Sequence, residues 1–148
     1  MLVHECAYTV GGMTIPEQYK QAVIPHIMID GAAEAITFYT AAFDASEHLR
    51  LDGDDGRILH AEIGIHGSTL MLSDPSAPFA PPGADGASVA LHVYVPDVNA
   101  LTAQAVAAGA SLLSAPADMF YGARQAMLRD PFGHVWIFLT PIGGASDG

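Results

Sequence analysis

One pattern occurs twice in this chain, 66 positions apart. The first copy opens Ile24-Pro25-His26-Ile27-Met28-Ile29-Asp30, passes through a helix-like run to Phe43-Asp44, and closes on Gly67-Ser68-Thr69-Leu70-Met71-Leu72. The second opens Ala90-Leu91-His92-Val93-Tyr94-Val95-Pro96-Asp97, runs to Gly109-Ala110, and closes on Gly133-His134-Val135-Trp136-Ile137-Phe138. His26 matches His92, Phe43 matches Gly109 and Gly67 matches Gly133 at that one spacing. A doubled supersecondary unit implies two modules that build one shared pocket, with matching side chains facing each other inside it.

Local patterning fills in each copy. Residues 23–29 read as a strand, with Pro25 suggesting an early or edge position. From Ala32 to Phe43, Ile36, Tyr39 and Phe43 recur at three- and four-residue steps, which predicts an amphipathic helix. Strands follow at 46–51, 58–65 and 68–73. Asp52-Gly53-Asp54-Asp55-Gly56 reads as a turn, since it lacks the ligand spacing of an EF-hand. The Pro-rich stretch from Asp74 to Ala87 is a linker. The second copy predicts strand 88–95, helix 98–108, and strands 111–114, 124–129 and 134–140, with Asp130-Pro131-Phe132-Gly133 as a turn. The sum is eight strands and two helices, an α+β chain of two β-α-β-β-β modules. Module 1 spans about 22–74, the linker 75–87 and module 2 about 88–142, within a single domain from 14 to 142. Residues 1–13 read as a loosely attached arm and 143–148 as a tail. His4, Glu5 and Cys6 in the arm are metal-capable types whose adjacency keeps them from converging on one ion.

Composition narrows the partners. Five Lys and Arg stand against 16 Asp and Glu, a net charge of −11. Clustered basic residues, which phosphate neutralisation needs, are missing, so neither nucleic acid nor an anionic membrane is expected as a partner. One cysteine allows no internal disulfide. No apolar run is long enough to span a bilayer, and the N-terminus shows no basic-then-apolar leader, so a cytoplasmic location is expected. No phosphate-cradling glycine loop, nucleophile elbow or Cys-His pair occurs.

Several longer motifs resemble a known family. They are Ile15-Pro16-Glu17-Gln18-Tyr19, Asp30-Gly31-Ala32-Ala33-Glu34-Ala35-Ile36-Thr37-Phe38-Tyr39, His60-Ala61-Glu62-Ile63-Gly64-Ile65-His66-Gly67-Ser68 and Met71-Leu72-Ser73-Asp74. Phe120-Tyr121-Gly122-Ala123-Arg124 and Asp130-Pro131-Phe132-Gly133-His134-Val135-Trp136 complete the set. Together they resemble the glyoxalase, bleomycin-resistance and extradiol-dioxygenase (vicinal oxygen chelate) superfamily, in its PhnB-like branch, over residues 14–142. The resemblance implies a half-open eight-stranded cup made by two modules pairing edge to edge. Helices would lie on its convex face and the ligand on its concave face, in a homodimer.

Metal-using members of that superfamily place one ligand on the first and last strand of each module. Alignment on the helix starts puts those four slots at Ile24, Met71, Ala90 and Ile137, none of which can hold a hard divalent ion. No metal or other cofactor is therefore expected. The alternative is one divalent ion in a shifted register, held by His26 and His92 with Glu62.

The candidate catalytic residues are His26, His60, Glu62 and His92. Each His of the 26/92 pair either bonds backbone or water, or binds a ligand and moves a proton. Glu62 is either a base in an apolar cup or a partner of Arg57 or Arg124. His66 and His134 sit at turns and are read as solvated. Met28, Met71, Tyr94, Phe120 and Tyr121 would wall a pocket for a flat or greasy ligand, and Arg124 would hold an acidic group if it faces the cup. Trp136 and Phe138 alternate with the inward set and belong to the core. The expected function is metal-independent binding or sequestration of a small apolar or aromatic organic molecule. The alternative is a lyase, isomerase or epimerase, or dioxygenase, using either a metal or a His or Glu base.

Overall fold

The computed structural model describes residues 7–10, 13–21, 23–84 and 86–142. A short hairpin comes first, β1 (Ala7–Val10) against β2 (Met13–Pro16), followed by one 3-10 turn at Glu17–Tyr19. The segment read as a loose arm therefore contains a paired strand. Its signal was Gly11-Gly12 between two short β-prone runs.

Module 1 comprises β3 (His26–Met28), α1 (Ala32–Phe43), β4 (Ser46–Asp52), β5 (Ile58–Ile65) and β6 (Ser68–Ser73). Module 2 comprises β7 (Ala90–Tyr94), α2 (Val98–Ala108), β8 (Ser111–Met119), β9 (Ala123–Arg129) and β10 (Val135–Pro141). Each module folds into one four-stranded mixed sheet, ordered β3-β6-β5-β4 and β7-β10-β9-β8. The first strand of each module runs parallel to its last, and the remaining pairs are antiparallel. This is the doubled β-α-β-β-β fold, and the sheets do not close into a barrel. β8 runs five residues past its predicted end despite Pro116. An edge strand tolerates proline, and two register shifts take up the irregularity.

Both helices cover the same side of the two sheets and share one core. Tyr39 and Phe43 of α1 reach across to Trp136 and Phe138 of β10, with the Phe43 ring 4.8 Å from Trp136 and 4.9 Å from Phe138. Asp130 lies beneath this cluster. One of its oxygens accepts from Tyr39 Oη (2.5 Å) and Trp136 Nε1 (2.9 Å), the other from the Phe132 and His134 amides. Burial pushes the Tyr39 phenol well above its ordinary value, and the Asp130 charge adds to this.

Each helix start is tied to the end of its own module's last strand. Asp74 accepts from the Gly31, Ala32 and Ile58 amides, while Thr140 Oγ1 accepts from Val98 and donates to the Val95 carbonyl. Burial works to raise the Asp74 carboxyl, but the three amides and nearby Arg57 outweigh it and hold the group below its usual value. Ala32 and Val98 are 66 apart, as are Asp74 and Thr140, so the repeat reproduces the clamp with a different acceptor.

Candidate functional site

The helix-free faces of the two sheets carry His26, His60, Glu62 and His92. Strand alternation turns Ala61, Ile63, Leu70 and Leu72 toward the helices, which sends Glu62 and Met71 the other way. Cross-strand register then sets His26, Met71, Glu62 and Leu49 in one row across the first sheet. On the second sheet the equivalent row is His92, Ile137 and Met127.

Glu62 is buried, 6% exposed, although it lies on the face without helices. Tyr19 from the 3-10 turn donates to it at 2.7 and 2.9 Å, and His60 Nε2 lies 2.9 Å from its Oε2. Neither Arg57 nor Arg124 pairs with it. The Tyr19 phenol is raised above its ordinary value, first by this hydrogen bond and then by burial and the Glu62 charge. Tyr19 is held in turn by its neighbours. Thr69 Oγ1 donates to the Gln18 carbonyl at 2.5 Å, and Gln21 Nε2 donates to the Thr69 carbonyl at 2.7 Å.

His26 completes the cluster. Its ring stands edge-on to His60 with centroids 5.4 Å apart, and its Nε2 is 2.9 Å from Ser73 Oγ. Burial, then the neighbouring His60 charge, lowers the His26 pKa below its ordinary 6.5. Above that value the ring is neutral in both folded and unfolded chains. As pH falls through it, the unfolded chain takes the proton more readily, so the fold loses stability in that window. An NMR titration should therefore place the His26 midpoint below 6.5. In His60→Gln it should rise part of the way back, because only the second cause is removed. A midpoint at or above the ordinary value in the native protein would contradict this assignment.

Two adjoining clefts open beside His26. One, of about 520 Å³, is walled by His26, Met28, Val89 and Leu91; the other, of about 300 Å³, by His26, Met28, Leu59 and Ser73. Phe79 of the linker lines both. Leu59 reaches the cleft because the register shift between β4 and β5 leaves it as an extra residue, 66% exposed. A third cleft, of about 420 Å³, holds His92 and Tyr94 with Gln21, Val23 and Thr69. Pro25 and Leu91 border this one and the largest alike.

Placement corrects several sequence expectations. His26 and His92 line different clefts, and the ring beside His26 is His60, not its repeat mate. Arg124 turns to the helix side, where it donates to Asn99 of α2 and to Asp118. Phe120 and Tyr121 pair edge-on at the tip of the β8–β9 hairpin, Phe120 being 98% exposed, and line none of these three clefts. His134, read as solvated, lies 3.0 Å from the Met28 carbonyl and joins the two modules. Tyr19 and Ser73 were not foreseen as site residues.

The slot assignment also shifts. Met71 stands beside His26 rather than Ile24, and Ile137 beside His92 rather than Ala90. The four slots read His26, Met71, His92 and Ile137, which offers two nitrogens and no carboxylate. Among the described residues, no three His, Cys, Asp or Glu side chains converge as a metal site would require. Among the described residues, the side chains in these four slots do not make up the donor set of a divalent ion. His4, Glu5 and Cys6 lie outside the described residues, as does the tail from 143. No helix among the described residues is long and apolar enough to cross a membrane.

Comparison with known proteins agrees with this geometry. The family model described as Glyoxalase/Bleomycin resistance protein/Dioxygenase superfamily matches residues 23–138. An uncharacterized protein of Mycobacterium tuberculosis is 37% identical over 142 residues, covering 92% of this chain and 84% of its own length. Among solved structures, a gene product of Arabidopsis thaliana superposes with a TM-score of 0.67 at 28% identity, over 78% of this chain and 95% of that one. A PhnB protein from Bacillus cereus superposes at 0.60 with 19% identity, over 80% and 98%, a likeness of fold alone.

Proposed function

The chain belongs to the glyoxalase/bleomycin resistance protein/dioxygenase superfamily, and from that premise we propose that it binds a small apolar or aromatic organic molecule without a catalytic metal. The observation that carries the reading is the pair of clefts meeting at His26, with Met28, Leu59 and Phe79 as apolar wall and His26 as a neutral polar anchor. Apolar walls with few polar anchors are how proteins hold flat organic ligands. Met71 and Ile137 in the slots beside the two histidines favour binding over metal chemistry. The protein would act in the cytoplasm as a homodimer, in which a second copy covers Leu112, Leu113 and Phe120, all exposed on or next to the edge strand β8.

Calorimetric titration of dialysed protein against a panel of planar organic compounds tests this. A one-to-one isotherm is expected, and His26→Ala should weaken it about tenfold, the worth of one hydrogen bond. Equal affinity in the variant would move the site away from His26. A stoichiometric metal in elemental analysis of the purified protein would overturn the metal-free part.

A second reading, a metal-free enzyme using a His or Glu base, is favoured by the His60–Glu62–Tyr19 chain next to the cleft.

A further inference from the structure

We propose that His60 is a general base on the helix-free face of the first sheet, held in that role by Glu62 and Tyr19 as positioning residues. This rests on the small-molecule site above and adds a proton transfer to it.

Among the described residues, no Lys or Arg forms an ion pair with Glu62. Arg57 is bonded to the Pro75 carbonyl, Arg50 to Glu47, Lys20 to Glu17 and Arg124 to Asp118. A carboxylate as buried as Glu62 ordinarily keeps a cation or strong donors close. Its partners here are one phenol and one imidazole, and His60 is the one of these able to become its counter-cation.

The hydrogen bonds fix the protons. An ionised carboxylate only accepts, so Tyr19 donates its O–H and His60 donates from Nε2. That places the hydrogen of neutral His60 on Nε2 and leaves a lone pair on Nδ1. A proton arriving at Nδ1 makes an imidazolium already bonded to a carboxylate, so the ring is held in place as it takes the proton. Tyr19 fixes the other side of the carboxylate and comes from a segment pinned at Gln18 and Gln21. The same residues could have buried an apolar side chain in place of Glu62 at less cost.

His60 is also accessible. Its side chain is 26% exposed, its ring touches His26, and Leu59 beside it lines the smaller cleft. The titratable groups around it are Glu62 on its own strand, Tyr19 from the N-terminal turn and His26 on β3. β4 places Leu51 opposite, flanked in sequence by Arg50 and Asp52. The ligand class is then a planar carbon acid. His60 Nδ1 takes the proton, and the C–H electron pair stays on the conjugated ligand. Return of the proton to a neighbouring carbon yields an isomer, with no oxidant, reductant or second substrate.

The probe is 5-nitrobenzisoxazole, a flat carbon acid that reports its own deprotonation. The base takes the ring C–H proton, the released pair forms a nitrile as the N–O bond breaks, and oxygen leaves as a coloured nitrophenolate. With full-chain protein in chelator, ring opening should saturate and run at least about a hundredfold faster than with equimolar imidazole, the low end for a positioned base. The rate should rise with pH through one titration. His60→Ala and His60→Gln should both fall to the imidazole level. Glu62→Gln should lose about tenfold, because the imidazole loses the acceptor that fixes its orientation. Tyr19→Phe should lose less, and His66→Asn, at an exposed turn, should leave the rate unchanged. Thermal unfolding identifies any variant that has lost its fold, and a fall in kcat at unchanged KM separates positioning from structural damage. Equilibrium dialysis of the probe distinguishes the outcomes. Binding without turnover, or turnover retained in both His60 variants, overturns the base and leaves the ligand site standing. Neither binding nor turnover overturns both.

Discussion

Asp130→Ala is expected to lower the unfolding free energy by about 3–5 kcal/mol, the loss typical of breaking a buried polar network. The carboxylate is 3% exposed and accepts four hydrogen bonds. Alanine would leave the Tyr39 hydroxyl and the Trp136 indole N–H without their acceptor in buried positions, and two half-buried turn amides without theirs. Asp130→Asn keeps one acceptor oxygen and should cost less. In a domain of this size the alanine loss corresponds to a melting temperature lower by roughly 10 °C. Urea titration followed by circular dichroism reads it directly, and a loss under about 1 kcal/mol would show that the turn finds other acceptors.

Phe43→Ala should cost about as much, roughly 3–5 kcal/mol, for a different reason. Phe43 is fully buried and its ring meets Phe38 and Tyr39 on its own helix and Trp136 and Phe138 on the other module's sheet. Truncation removes the transfer energy of the ring and opens a cavity where two modules meet. Because both modules share that core, unfolding should remain one transition, with near-ultraviolet signal from Trp136 and far-ultraviolet signal falling together. Two separated transitions would mean that the modules hold independent cores.

The helices at 32–43 and 98–108 were legible to the residue because apolar spacing, Gly31 and Asp97 before them, and Asp44 and Gly109 after them all agree. Strand parity was legible as well, which is why His60, Glu62 and His92 lie on the face foreseen for them. Parallel register was not. No tight turn links β3 to β6 or β7 to β10, so nothing local fixes which residue stands beside Met71 or Ile137. Arg124 shares parity with Ala126 and Leu128 on β9, and that alternation could have placed it on the helix side. The contact between Tyr19 and Glu62 spans 43 residues and leaves no periodic trace. It comes from how the N-terminal turn packs, a tertiary choice that local pattern does not encode.

The clamps at Asp74 and Thr140 carry one more consequence. Each draws all its partners from within a single module, whereas the bonds from Tyr39 to Asp130 and from Gln104 to the Ala41 carbonyl run between modules. A break in the linker would therefore leave each half's helix tied to its own sheet. What the halves owe each other is a non-covalent face of aromatic rings and a few hydrogen bonds, and either half could meet that face as readily from a different polypeptide.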